Sequence, residues 1–245
     1  MGMPITIEII DDFATAKDFD QVYDYFEYID NKFSVYKKES EISLINADKL
    51  NQNKFSKDMK EIFKLSEQTK KQTSGYFEIY HNSKYDPSGL VKGWAILNAT
   101  KLLKKLGFKN FYTEAGGDIQ VVGKNKQGKN WVIGIRNPFN DQEIIKTLSI
   151  FDKGVATSGT YVRGQHIYNP KKKKSTITNI VALTVIGPNI YEADRFATAA
   201  FAMGKTGINF IENLGGFEGY SINSKGIATL TSNFEKYILN HAQVY

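Results

Sequence analysis

The chain has 245 residues, of which 41% are hydrophobic, so it is long enough to bury a full core. It contains no cysteine, which excludes disulfides, thiolate catalysis and cysteine-ligated metal centres. The net charge of +6 permits an anionic ligand or a nucleic acid, but no nucleic-acid-binding motif accompanies it, and we predict no nucleic-acid partner.

The N-terminal sequence shows no recognisable targeting segment. MGMPITIEI lacks a basic region followed by a long apolar one, and no stretch of the chain approaches the ~18 apolar residues of a membrane-spanning helix. We therefore expect no membrane span and a cytoplasmic location, the alternative being an extracytoplasmic mature form that has lost its signal.

The first half of the chain is predicted to be mainly helical. It opens with MPITIEII, which has the pattern of a strand. Apolar residues then recur at helical spacing over residues 12–33, and Ser56 is placed to cap a second helix over 56–73. A third helix is predicted over 90–106. The segment 34–46 is predicted to be a loop.

The second half combines strands with two helices. Strands are predicted at NFYTEA, DIQVVG, WVIGIRN, IKTLSIF, GQHIYNP and NIVALTVIG. Helices are predicted over 192–203 and 207–214, and a last hairpin is predicted to turn at Ser224-Lys225-Gly226. The elements follow no regular βαβ period and no linker divides them. We therefore predict one compact α+β domain over residues 1–245, with mixed or antiparallel sheets and flanking helices.

Asp194 and Thr198 form the first candidate site. They lie four residues apart at the start of the Ala-rich segment EADRFATAAFAMG, and therefore on one face of a helix. A carboxylate and a hydroxyl are hard oxygen donors that suit Mg²⁺, which keeps substrate phosphates as further ligands. The alternative is an acidic residue favoured by the helix dipole and a threonine packed on the core.

The segment DPSGLVKGWA is the second candidate. A glycine-containing turn that opens into a helix, with Lys92 at the helix entry, suits a phosphate. The alternative is an ordinary type I or II turn followed by a surface lysine. Taken with the first candidate, it predicts a Mg²⁺-assisted site for a diphosphate ligand.

Three further segments each allow two interpretations. AGGDI is either a hairpin turn or a close approach of the backbone to a ligand, with Asp118 facing it. His166, in the polar segment ATSGTYVRGQHIYNP, is either a structural histidine or a general base. Tyr36 and the pair Tyr76-Phe77 are either core residues or stack on a flat ring such as flavin or adenine.

Taken in order, nine segments resemble the ApbE family, the FAD:protein FMN transferases. They are MGMPI, FSVYKKESEISLIN, GYFE, DPSGLVKGWA, EAGGDIQVVG, WVIGIRNP, ATSGTYVRGQHIYNP, LTVIGP and EADRFATAAFAMG, and they span nearly the whole chain. The resemblance implies a T-fold-related domain. It also implies that the chain uses Mg²⁺ to transfer the FMN part of FAD to a Thr, or sometimes Ser, hydroxyl of a target flavoprotein, forming a phosphoester and releasing AMP.

The same resemblance assigns roles to individual residues. Asp194, Thr198 and a backbone oxygen near Gly89 would bind Mg²⁺, and His166 would be the base that activates the target hydroxyl. FAD would contact Met1, Tyr36, Tyr76, Phe77, Glu78, Asp86 and Lys92. Glu78 and Asn169 stand where the family usually has Asp.

Two other functions remain as alternatives at the level of sequence. A Mg²⁺-dependent FAD pyrophosphatase would use the same site, with water in place of the target hydroxyl and with FMN and AMP as products. A flavin-binding protein without catalysis would need neither the metal pair nor His166, and these residues therefore count against it.

Overall fold

The computed structural model describes residues 2–160, 167–172 and 177–239. The helices are α1 (Ala16–Phe33), α2 (Glu41–Asn46), α3 (Lys57–Gln72), α4 (Ser88–Lys105), α5 (Ile190–Met203) and α6 (Gly207–Glu212). The strands are β1 (Ile5–Ile9), β2 (Tyr80–His81), β3 (Lys84–Tyr85), β4 (Phe111–Ala115), β5 (Asp118–Val122), β6 (Trp131–Asn137), β7 (Asn140–Ile150), β8 (Gly154–Gly159), β9 (Ala182–Gly187), β10 (Glu218–Ile222) and β11 (Ala228–Leu230). Across these ranges, we find no helix that combines the length and the apolar character needed to span a bilayer.

A seven-stranded sheet forms the centre of the fold. Its order is β1-β4-β5-β8-β9-β10-β11, and every pairing between its neighbouring strands is antiparallel. Two separate hairpins, β2–β3 and β6–β7, lie outside it. Helices and antiparallel sheets in one chain confirm the α+β prediction.

The central sheet buries both of its faces. Successive residues of a strand point to opposite faces, and in β8 Ala156 belongs to one hydrophobic cluster while Val155 belongs to the other. The first cluster joins the sheet to the helices, including the apolar residues of α1, α4 and α5. The second joins it to the inner face of the β6–β7 hairpin, through Trp131 and Ile133. The sheet is therefore covered by helices on one side and by a hairpin on the other.

Most of the predicted elements are confirmed. The helix predicted over 56–73 is α3, and the Ser56 hydroxyl caps it by accepting a hydrogen bond from the Met59 N–H at 3.2 Å. The loop prediction for 34–46 is wrong in its second half, because α2 forms there, capped by Ser40. The strand predicted at GQHIYNP falls partly outside the described residues, and its described part, 167–170, is not a strand.

Candidate functional site

Helices α4 and α5 approach each other closely at Gly93. A Cβ atom on Gly93 would lie 2.7 Å from Asp194 Cβ and 2.8 Å from the Ile190 backbone oxygen. Both distances are too short for a real side chain, so the contact requires glycine. The missing side chain lets the Gly93 N–H donate a hydrogen bond to Asp194 Oδ2 at 2.7 Å. The glycine thus fixes the position of the carboxylate.

We expect Gly93→Ala to destabilise the fold by about 1–3 kcal/mol, because an extra methyl in a filled contact must displace its neighbours. Urea unfolding measures this change. Gly215→Ala is the matched control, since Gly215 is exposed and a Cβ there meets no atom within 4 Å. An equal effect of the two substitutions would contradict the close contact of α4 and α5.

Two of the three oxygens predicted to bind Mg²⁺ lie side by side between these helices. Thr198 Oγ1 lies 3.3 Å from the Gly89 backbone oxygen and donates a hydrogen bond to it. Asp194 is one helical turn before Thr198 on the same face of α5. Adjacent ligands of an octahedral Mg²⁺ stand about 3.0 Å apart when each lies about 2.1 Å from the ion. The donor chemistry of the three groups, and the 3.3 Å between Thr198 Oγ1 and the Gly89 oxygen, therefore fit Mg²⁺.

The Asp194 carboxyl lies in an environment that disfavours its negative charge. It is only 4% exposed, and burial together with the nearby Asp118 carboxylate raises its pKa well above the usual range. The Lys92 ammonium and the Gly93 N–H act in the opposite direction without cancelling the rise. A cation bound at this carboxylate would favour its ionised form.

Lys92 forms an ion pair that the sequence did not predict. Its Nζ lies 2.7 Å from Asp118 Oδ2, and the side-chain exposures are 16% and 1%. The Thr157 N–H also donates to Asp118, at 3.2 Å to Oδ1. Of the two interpretations of AGGDI, the hairpin turn is confirmed, because β4 and β5 pair around Gly116-Gly117. Asp118 joins that hairpin to α4 and β8.

We expect Lys92→Met to destabilise the fold by about 3 kcal/mol, because it leaves Asp118 as a buried charge without its cation. Lys92→Met combined with Asp118→Asn should recover most of that loss, and a double-mutant cycle in urea should yield a coupling free energy of about 1 kcal/mol or more. Strictly additive effects would show that the ion pair contributes nothing to stability.

These groups lie in one large cleft of about 1520 Å³. The predicted site residues that line it are Tyr36, Tyr76, Phe77, Glu78, Asp86, Gly89, Lys92, Asp194 and Thr198. Gly116 and Gly117 also line it, with the left-handed φ angles of 58° and 90° that the tight turn needs. Met1 and His166, the other two predicted site residues, lie outside the described residues.

The three predicted aromatic residues differ in environment. Phe77 is 3% exposed and packs in the core, where its ring would meet a Cβ on Gly89 at 3.5 Å. Tyr36 is 93% exposed, so the core interpretation is wrong for it. Tyr76 is half-buried, and Lys171 Nζ stands 4.4 Å from the centre of its ring. Tyr36 and Tyr76 are the two whose rings are accessible to a ligand.

Two acidic residues border the cleft near α4. Glu78 pairs with Lys70 at 2.5 Å, and although burial opposes it, this partner and the Tyr80 N–H hold the pKa of Glu78 below its usual range. Asp86 is exposed, and its Oδ1 accepts a hydrogen bond from the Ser88 N–H at 3.0 Å. The lowered pKa of Glu78 therefore favours its ionised form at the cleft.

Comparison with known proteins places the chain in a family. The sequence model of the ApbE family matches residues 1–83 and 80–220. A protein of Vibrio cholerae named FAD:protein FMN transferase is 32% identical over 129 residues, which is 49% of this chain and 39% of that protein. A protein of Haemophilus influenzae with the same name is 29% identical over 130 residues, 49% of this chain and 38% of that protein. The matched region spans about two fifths of each of these relatives.

Solved structures share the whole fold. The flavin transferase ApbE from Vibrio cholerae superposes with a TM-score of 0.83 at 21% identity, covering 97% of this chain and 96% of that one. The ApbE protein from Thermotoga maritima superposes with a TM-score of 0.86 at 20% identity, covering 98% and 97%. The family match covers most of the sequence, and the fold agrees with it over nearly the full length. The chain belongs to the ApbE family.

Proposed function

We propose that this chain is a Mg²⁺-dependent enzyme that transfers the FMN part of FAD to a Thr or Ser hydroxyl of an acceptor flavoprotein and releases AMP. The observation that carries the proposal is the meeting of Gly89 O, Asp194, Thr198 and Lys92 at one cleft. Three hard oxygens beside a cationic side chain suit a cation and a diphosphate together. The names of the relatives from Vibrio cholerae and Haemophilus influenzae support the same activity.

The reaction breaks the phosphoanhydride bond of FAD and forms a phosphoester bond to the acceptor. The acceptor hydroxyl oxygen attacks the phosphorus of the FMN half, the bond from that phosphorus to the bridging oxygen of the diphosphate breaks, and AMP leaves with the bridging oxygen. The hydroxyl proton passes to a base, for which His166 is the candidate. Mg²⁺, when bound by Gly89, Asp194 and Thr198, would neutralise the charge that develops on the phosphate oxygens.

The chain's own groups would position the diphosphate. Lys92 is held by Asp118 close to Asp194, so its ammonium is directed at the site before a substrate arrives. Preorganised charge of this kind lowers the barrier because it needs no reorganisation during the reaction. The accessible rings of Tyr36 and Tyr76 are suited to stack on the flat rings of FAD. Catalysis would therefore consist of positioning and electrostatics, with no covalent enzyme intermediate.

Product analysis tests the proposal. The protein is incubated with FAD and Mg²⁺, with and without an acceptor flavoprotein domain, and AMP, free FMN and the mass of the acceptor are measured. We expect one FMN added to the acceptor for each AMP released. AMP and free FMN without a modified acceptor would instead support the pyrophosphatase. Bound FAD that stays intact in both samples would support a flavin-binding protein without catalysis.

A further inference from the structure

The cleft extends along strand β6. Six consecutive residues of that strand, from Trp131 to Arg136, line it. Along a strand, side chains alternate between the two faces, so a cavity on one face would touch only every second residue. Here the three buried residues of β6 and the three exposed residues that alternate with them all line the cleft. The cleft therefore runs along the edge of β6, where the backbone N–H and C=O groups lie.

That edge is open to a further strand. Within the described residues, β6 pairs with β7 alone, and the backbone of residues 131–136 has no other backbone hydrogen bond. The outer edge of β7, on the other side of the hairpin, is partly paired. The Leu239 N–H donates to Thr147 O at 2.8 Å, and Leu148 forms a bridge with Ile238. Unpaired edges are templates for another polypeptide.

Polar residues of the central sheet line the same cleft. Thr6 and Glu8 of β1 and Glu114 of β4 line it, and Tyr112 of β4 stacks on Trp131 with ring centres 5.7 Å apart. Glu8 is the cross-strand partner of Tyr112, and Glu114 lies two residues further along β4 on the same face, so these two carboxylates flank the Tyr112 ring. Walls with charges and hydroxyl groups suit a polypeptide segment better than a lipid chain.

We propose that the β6 edge binds an extended segment of the acceptor protein as an added strand, with the acceptor hydroxyl carried by that segment. This inference rests on the proposed function. A polypeptide backbone supplies alternating donors and acceptors at the spacing of a strand, and the six residues of the edge span about 20 Å. The cleft of about 1520 Å³ exceeds the roughly 300–1,000 Å³ of a typical small-molecule pocket, which leaves room for a second ligand beside FAD.

Backbone N-methylation of the acceptor tests strand addition directly. Nine-residue peptides with one central Thr are drawn from a random pool, incubated with the protein, FAD and Mg²⁺, and sorted by added FMN. The best substrate is then remade with a single N-methyl group at each amide in turn. We expect the KM of the peptide to rise about 3- to 10-fold at every second amide and to change little at those between, because only alternate N–H groups face the edge.

Two results would overturn strand addition while leaving the proposed function in place. One is a rise in KM without the period of two. The other is an acceptor protein that gains FMN while no peptide does, because an isolated extended segment should suffice. If wild-type protein releases no AMP from FAD with any acceptor, the proposed function is contradicted, and this inference with it.

A pair of substitutions in the protein provides a second test. Val132 lies on the edge strand and is 53% exposed, whereas Ile227 is 59% exposed in the β10–β11 turn and does not line the cleft. We expect Val132→Asp to raise the KM of the best peptide at least about fivefold, because the new carboxylate would replace an apolar contact with the side chains of the added strand. Ile227→Asp should leave it unchanged. Equal effects of both would count against the β6 edge.

Discussion

Replacing Asp194 by Asn is expected to reduce Mg²⁺-dependent turnover of FAD by about 10³-fold or more. A metal that stabilises charge in the transition state contributes several kcal/mol, and an amide oxygen is a far weaker ligand than a carboxylate. The Asn side chain still accepts the Gly93 N–H, so the contact between α4 and α5 is kept. AMP release at varied Mg²⁺ measures the effect. Asp24→Asn, on the exposed face of α1, is the control.

Asp194→Asn should lower turnover without lowering the stability of the fold. Burial and Asp118 raise the pKa of Asp194 above its usual 3.8 in the folded state. The folded state therefore binds the proton more tightly than the unfolded state, and the free energy of unfolding falls as pH rises from about 4 toward the folded pKa.

Without metal at neutral pH, we therefore expect Asp194→Asn to be as stable as the wild type or more so. Its free energy of unfolding should also depend less on pH. Urea unfolding in EDTA at several pH values measures both. A variant that is much less stable, or that keeps its response to Mg²⁺, would contradict the assignment of Asp194.

His166→Ala should lower FMN transfer by about 10²- to 10⁴-fold, which is the usual contribution of a positioned general base. The affinities for FAD and Mg²⁺ should stay unchanged, because the predicted role concerns the proton of the acceptor hydroxyl alone. Transfer by the wild type should rise with pH as the imidazole loses its proton, because only the neutral ring can accept one.

Imidazole added in solution provides the control for this variant, since it can supply the missing base in the space left by the side chain. Partial recovery of transfer, with the pH dependence of free imidazole, is the expected result. Loss of FAD binding in the variant would show instead that His166 acts in substrate binding. An unchanged rate of FMN transfer would show that His166 takes no part in the reaction.

Helix α3 was predictable because its sequence carries both a period and a cap. In α3, buried Met59 and Ile62 recur at helical spacing after the cap residue Ser56. Helix α2 was missed because six residues are too few for a period, although Ser40 caps it and Ile42 and Ile45 are buried. Short helices of this kind depend on tertiary packing.

Strand β8 was missed for a different reason. Its sequence, GVATSG, consists mostly of small residues and has glycine at both ends. Glycine and alanine are depleted in strands, so the segment has a weak strand propensity. It becomes a strand because it pairs with β5 and β9. Gly154 is also fixed by packing, since a Cβ there would lie 2.1 Å from the Ile190 backbone nitrogen. Such constraints arise from the fold and leave no local pattern.

Part of the candidate site could be predicted from the sequence and part could not. The spacing of Asp194 and Thr198 placed both on one helix face, whereas the backbone oxygen near Gly89 was implied only by the family resemblance; the structure places it 3.3 Å from Thr198 Oγ1. The pairing of Lys92 with Asp118 could not be predicted, because one residue belongs to a helix and the other to a hairpin 26 positions further along the chain (118 − 92). Only the packing of α4 against the sheet brings them together.

The most direct test of the central claim is to locate the metal. Crystals of the protein grown with FAD and Mn²⁺, which replaces Mg²⁺ at oxygen sites, would show the ion by its anomalous scattering. We expect one peak within about 2.3 Å of Asp194, Thr198 and the Gly89 backbone oxygen, next to the diphosphate. Bound FAD with no peak at these oxygens, or with the ion held elsewhere, would contradict the account.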